Sequence, residues 1–128
     1  VYGKGMSQNN VFYDIYEQIK NNNSKIKIKN IKHIRDFIAV DDVCDSILAI
    51  ALKQKKGTYN ICTGKGTSIE DLANIIIKNF GSKGLQYSLL SQNLTHSKLV
   101  LNPTYTKTIY NWKSKININN GCKNLLYK

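Results

Sequence analysis

Arginine is almost absent from this chain: of 19 basic residues 18 are lysine, and Arg35 stands alone. Proline occurs once, at Pro103, and acidic side chains number only 8 in 128 residues. Cys44, Cys62 and Cys122 have no C-x-x-C spacing and are odd in number, which argues against a disulfide framework and against a structural zinc site. Cys44 and Cys62 lie in apolar-periodic stretches, where cysteine is expected as a small core residue in a reducing cytosol. The longest apolar run, Ile47 to Leu52, falls far short of the roughly 20 residues that a membrane span needs. No signal-peptide or lipidation pattern is visible, so no membrane role and a cytoplasmic setting are expected.

What is present is lysine, 16 asparagines and 17 isoleucines, with a net charge of +11. Such a balance raises nucleic acid as a partner. The lysines are scattered, however, and the residue best suited to bidentate contacts with bases and phosphates occurs once. A solvated lysine surface explains the charge, and a non-catalytic basic module binding nucleic acid or another polyanion is the alternative. With 41% hydrophobic residues the chain has enough apolar material for a core. It reads as a single partial domain over residues 1–128, and the opening Val1–Tyr2–Gly3 reads as the interior of a longer chain.

The pattern alternates strands and helices, which predicts an α/β fold. Asn9 or Asn10 caps a helix to about Lys20 with Val11, Ile15 and Ile19 on one face. Lys25 to Lys29 alternates as an edge strand, and Ile34 to Val40 is extended. Asp41 or Asp42 caps a helix to about Lys53, buried through Val43, Ile47, Ile50 and Ala51 and ended by Gly57. Thr58 to Cys62 is β-rich. Thr67 with Glu70, or Ser68 with Asp71, forms a capping box for a helix that Gly81 stops after Phe80. Leu85 to Leu90 and Leu99 to Leu101 are strand candidates. Short helices follow from Pro103 to about Asn111 and from about Asn119 to Leu126.

Gly3–Lys4–Gly5 and Gly64–Lys65–Gly66 suggest phosphate loops, but neither fits Gly-x-x-x-x-Gly-Lys followed by Ser or Thr. No Gly-x-Gly-x-x-Gly joins a strand to a helix. His33 and His96 have no acid at a telling spacing, and metal binding is unsupported. Arg35 is the most informative residue. Its guanidinium fork grips two phosphate oxygens where an ammonium cannot, and pairing with Asp36 or pinning to a carbonyl are the structural alternatives.

Five segments follow one another: Val1–Tyr2–Gly3–Lys4–Gly5; Asn9–Asn10–Val11; Arg35–Asp36–Phe37–Ile38–x–Val40–Asp41–Asp42–Val43; Gly57–Thr58–Tyr59–Asn60–Ile61–x–Thr63–Gly64; and Thr67–Ser68–Ile69–Glu70–Asp71–Leu72–Ala73. In this order they resemble the C-terminal half of the NAD-dependent epimerase/dehydratase family, the extended short-chain dehydrogenase/reductases acting on nucleotide sugars. Trp112 and Lys113 resemble the end of that family's L-G-W-x-P element. The resemblance implies an α/β substrate-binding portion with the Rossmann half missing, and with it the glycine loop and the Tyr-x-x-x-Lys pair. NAD or NADP would then be bound mainly by that half, and this chain holds no catalytic residue of its own. Asn10, the backbone at Val11 and Arg35 would meet the diphosphate of a nucleotide sugar. Tyr2 and Gly3 would lie near the nicotinamide edge, and the Ile26 to Lys29 strand beside the base. A homodimer is possible on the same analogy. Lys4 stands where proline is usual, and Ser91 to Lys98 lacks the family's second diphosphate arginine, a place for which Lys98 and His96 are the candidates.

Overall fold

The chain leaves an extended conformation at Asn10 (φ −114°, ψ 151°) and turns into a helix. Asn10 Oδ1 accepts the Tyr13 amide at 2.8 Å and satisfies one of the donors that a helix start leaves open. Of the two asparagines offered by the sequence, this is the one used. The structure, a computed structural model, describes residues 1–81, 84–89 and 96–125. Its elements in chain order are α1 (Val11–Lys20), β1 (Lys25–Ile28), β2 (Ile34–Asp36), α2 (Val40–Lys53), β3 (Gly66–Ser68), α3 (Ile69–Phe80), β4 (Gln86–Leu89), β5 (Lys98–Leu99), α4 (Thr104–Tyr110) and α5 (Ile118–Asn124).

The α/β expectation holds, in two small sheets. β1 and β4 pair in parallel, and β2 lies between antiparallel β3 and parallel β5. β1 points Ile26 and Ile28 into the core and Lys25 and Lys27 into solvent, as its alternation requires. Its outer edge is closed at one residue: the Gln18 side chain accepts the Lys27 amide at 2.8 Å and donates to the Lys27 carbonyl at 3.0 Å. A side-chain amide thus stands in for a neighbouring strand and blunts the edge.

The main core gathers Phe12, Ile15 and Ile19 of α1, the β1 isoleucines, Leu72, Ala73 and Ile76 of α3, and Cys122 of α5. Each fully buried isoleucine or leucine contributes about 1.5–3 kcal/mol. Tyr2 stacks on Phe12 at 5.2 Å within this core. Phe12, rather than the half-buried Val11, is therefore the inward residue of the first turn. A smaller second core joins Ile38, Tyr110 and Trp112 to Val43 and Ile50 of α2.

Ser68 caps α3 by accepting the Asp71 amide at 2.9 Å, and its hydroxyl donates to the Asp71 carboxylate at 2.6 Å. Gly81 follows the last turn as expected. Elsewhere local signals gave way to packing. α2 starts at Val40 behind Ala39, with no side-chain cap, because Asp42 is buried and bonded to residues 115 and 116 instead. The left-handed Gln54 (φ 47°), not Gly57, ends it. Ile47 and Ala51 are exposed rather than buried, and so is Cys44, whereas Cys62 and Cys122 are buried. The β-rich segment from Thr58 to Cys62 belongs to no strand. β5 is Lys98–Leu99, so Leu101 falls outside it. Leu90 and Leu126 lie outside the described residues.

Candidate functional site

At the tip of α1 the Asn10 side-chain oxygen is occupied by the cap. What remains for an anion is the Asn10 amide nitrogen and the backbone N–H groups of Val11 and Phe12, which have no intrahelical acceptor. These groups and the positive end of the helix dipole favour negative charge in the first turn.

Arg35 sits in the middle strand of the three-stranded sheet, level with Thr67 and Leu99. Its Nη1 donates to the Ile34 carbonyl at 2.8 Å and to the Ser97 carbonyl at 2.9 Å. Nη2 is held more loosely, by Ser97 Oγ at 3.3 Å and by a contact to His33 Nδ1 at 3.5 Å. The guanidinium is therefore anchored at one nitrogen, and its Nε–Nη2 edge is the part able to turn to a ligand. Asp36 does not pair with it. That carboxylate accepts Thr63 N at 3.1 Å, Thr63 Oγ1 at 2.5 Å and Gly64 N at 2.7 Å, and so fixes the 63–65 turn. Asp36 also adds to burial in raising the Cys62 thiol above its ordinary range. Among the described residues no hydrogen bond joins the α1 tip to Arg35.

Lys98 is level with Ile34, so its side chain belongs to the sheet face opposite Arg35. That geometry does not offer it as a second clamp beside Arg35. His96 is exposed, and Ser91 to Thr95 lie outside the described residues. Gly66 opens β3, not a helix, so the Gly64–Lys65–Gly66 turn presents no helix N-terminus to a pyrophosphate. Among the described residues no group of three or more His, Cys, Asp or Glu could hold a metal.

A cavity of about 560 Å³ opens between the 2–6 loop, Tyr13 and Tyr16 of α1, the start of α2 and the end of α5. Neither Asn10, Val11 nor Arg35 lines it; Tyr13 does, one turn along from the cap. The Tyr2 side chain forms part of its wall, and burial, aided by the charges of Cys122, Asp42 and Asp41, raises that phenol well above its usual range. Ser97 and His33 touch Arg35; the sequence offers His33 only as a histidine without a paired acid, and gives Ser97 no role of its own. The Ser97 contact spans 62 residues of chain, which no local spacing reveals, whereas His33 stands two residues before Arg35.

The element order and sheet arrangement define an α/β fold that recurs as part of larger solved enzymes. RMD from Pseudomonas aeruginosa complexed with NADPH superposes with a TM-score of 0.86 at 20% identity, over 98% of this chain and 44% of that one. UDP-glucose 4-epimerase with UDP-glucose from Thermotoga maritima gives 0.79 at 24% identity, over 98% and 42%. The family model described as GDP-mannose 4,6 dehydratase matches residues 3–125, and the chain belongs to that family of NAD-dependent epimerases and dehydratases. The dTDP-L-rhamnose 4-epimerase of Burkholderia thailandensis is 31% identical over an 88-residue alignment that covers 64% of this chain and 24% of that enzyme. The chain thus spans about a quarter of the length of that relative.

Proposed function

We propose that this chain is the substrate-binding portion of an NAD(P)-dependent nucleotide-sugar epimerase, dehydratase or reductase. It holds the nucleotide diphosphate while chemistry proceeds on a dinucleotide-binding half. The observation that carries this reading is Arg35, anchored through Nη1 and held only loosely at Nη2, so that its Nε–Nη2 edge can exchange those long contacts for a phosphate. The unpaired amides at Val11 and Phe12 supply the second set of donors. Charge-assisted bonds of this kind contribute about 1.5–3 kcal/mol each.

The described residues do not fit the role of holding NAD or NADP alone, since among them no glycine-rich turn leads from a strand into a helix. When bound by the other half, the nicotinamide supplies a hydride acceptor and donor. This chain's own part is to bind the diphosphate, orient the sugar and wall the cavity beside Tyr2 and Gly3. UDP-glucose in the Thermotoga maritima neighbour supports a nucleotide sugar as the ligand class.

Calorimetric titration of the complete polypeptide with a nucleoside diphosphate tests the reading. Saturable binding is expected, weakened by about 10- to 100-fold in Arg35→Lys, the equivalent of one lost bidentate contact. Unchanged affinity in that variant removes Arg35 from the site. Binding to nucleic acid with a steep salt dependence would favour the basic-module reading instead.

A further inference from the structure

His33 stands two residues before Arg35, so the two side chains share a face of the extended chain. Its Nδ1 lies 3.5 Å from Arg35 Nη2, and Ser97 Oγ lies 3.3 Å from the same nitrogen. Both contacts are long beside the 2.8 and 2.9 Å bonds that pin Nη1 to the Ile34 and Ser97 carbonyls. A guanidinium nitrogen only donates, so Nδ1 accepts and the neutral ring carries its proton on Nε2. That Nε2 is buried and has no hydrogen-bond partner among the described residues. The polar contact of the ring is therefore the one with Arg35.

No carboxylate answers these two side chains. Among the described residues neither makes an ion pair, and the pair that is present joins Lys115 to Asp45. Asp36 is turned to Thr63 and Gly64. The start of α3 packs here through the Ile69 amide, which donates to His33 O at 2.9 Å. Its acids are engaged elsewhere: Glu70 accepts from Tyr87 Oη at 2.5 Å, and Asp71 from Ser68 Oγ at 2.6 Å. On β5, Lys98 is level with Ile34 and belongs to the opposite face. Lys32 and His96 are exposed. Negative charge to match a second cation on this face must come from a ligand.

We propose that His33 is a proton-linked placeholder in the diphosphate site. Neutral, its Nδ1 holds the Nη2 edge of Arg35. Protonated, Nδ1 becomes a donor, releases Nη2 and faces the incoming phosphate oxygens as a second cation. Both changes favour the anion, so proton uptake at His33 and diphosphate binding strengthen each other, and by linkage to the same extent. Imidazole is the side chain that changes charge between about pH 5 and 8, so affinity rises as pH falls through that range. The inference rests on the functional reading above and adds the residue that makes the Arg35 clamp respond to pH.

The complete polypeptide is titrated calorimetrically with UDP-, dTDP-, GDP- and CDP-glucose, whose diphosphate diesters keep their charge across this range. From about pH 8 to about pH 5.5 the affinity for the best-bound probe should rise about 5- to 10-fold more than in His33→Gln, which offers an acceptor oxygen but takes up no proton. Every other titrating group is common to the two proteins and cancels in that comparison. In the unmutated protein, ¹⁵N spectra of the His33 ring should place the proton on Nε2 at pH 8. Saturating ligand should then move the ring's titration midpoint upward by the same factor. Parallel pH profiles in the two proteins overturn the proposal. So does a neutral ring protonated on Nδ1, or a midpoint that ligand leaves in place. The ring spectra need no variant, so they decide the matter even where His33→Gln fails to fold. Binding with parallel profiles sinks the role of His33 alone, whereas no binding of any of the four probes sinks the functional reading and this inference with it.

Discussion

Cys122 and Tyr2 meet where α5 crosses the first residues of the chain. A Cβ on Gly121 would stand 1.9 Å from Tyr2 Oη, so glycine is what lets the helix lie against the phenol. The same close packing desolvates both acids. Burial pushes the Cys122 thiol from an ordinary 9.0 up to about 12, and burial also raises Tyr2. Because the folded-state pKa is the higher one, this contribution to stability is complete below pH 9 and is lost as pH climbs toward 12. The unfolded chain releases the proton first, so stability falls by up to about 1.4 kcal/mol per pH unit in that window. Urea unfolding across the alkaline range should show this slope, and Cys122→Ala should delay its onset until Tyr2 begins to matter. Identical slopes in both proteins would exclude Cys122 as the cause.

At the scale of elements, the joint between α2 and the loop ahead of α5 rests on one carboxylate. Asp42 is 2% exposed and accepts the amides of Lys115 and Ile116 at 3.0 to 3.1 Å. Asp42→Ala leaves those donors buried without a partner and should cost about 1.5–3 kcal/mol in urea unfolding, with Asp42→Asn in between. A loss within experimental error would mean that water replaces the carboxylate. This joint also shows what local sequence can and cannot reveal. The caps at Asn10 and Ser68, the alternation of β1 and the stop at Gly81 were legible because each depends on neighbours within four residues. The spacing offers Asp41 or Asp42 as the cap of α2, and it hides that Asp42 bonds partners 73 and 74 residues away. Ile47 and Ala51 carry the periodicity of a core face, yet the structure leaves both exposed. At the candidate site, Arg35 was visible as the lone arginine, but its anchoring by Ser97 was not.

For the molecule as a whole, two cores of unequal completeness divide the labour. The larger one, around α1, α3 and β1, fixes the tip of α1. The smaller one lies under α2, whose other side leaves Ile47, Leu48 and Leu52 exposed. No helix among the described residues is long and apolar enough to cross a membrane. The surplus of positive charge is spread over lysines such as Lys25, Lys27, Lys53 and Lys107, all exposed, which suits attraction of an anionic substrate without specifying it. On the proposed function, specificity for a diphosphate comes from fixed donors, the α1 amides and the Arg35 fork. The direct test is a ¹⁵N nuclear magnetic resonance titration of the chain with a nucleoside diphosphate. Convergence of the two elements on one anion predicts that the Val11 and Phe12 amides and the Arg35 Nε–H shift along a single saturation curve. An Arg35 signal that stays still while other residues saturate would contradict it.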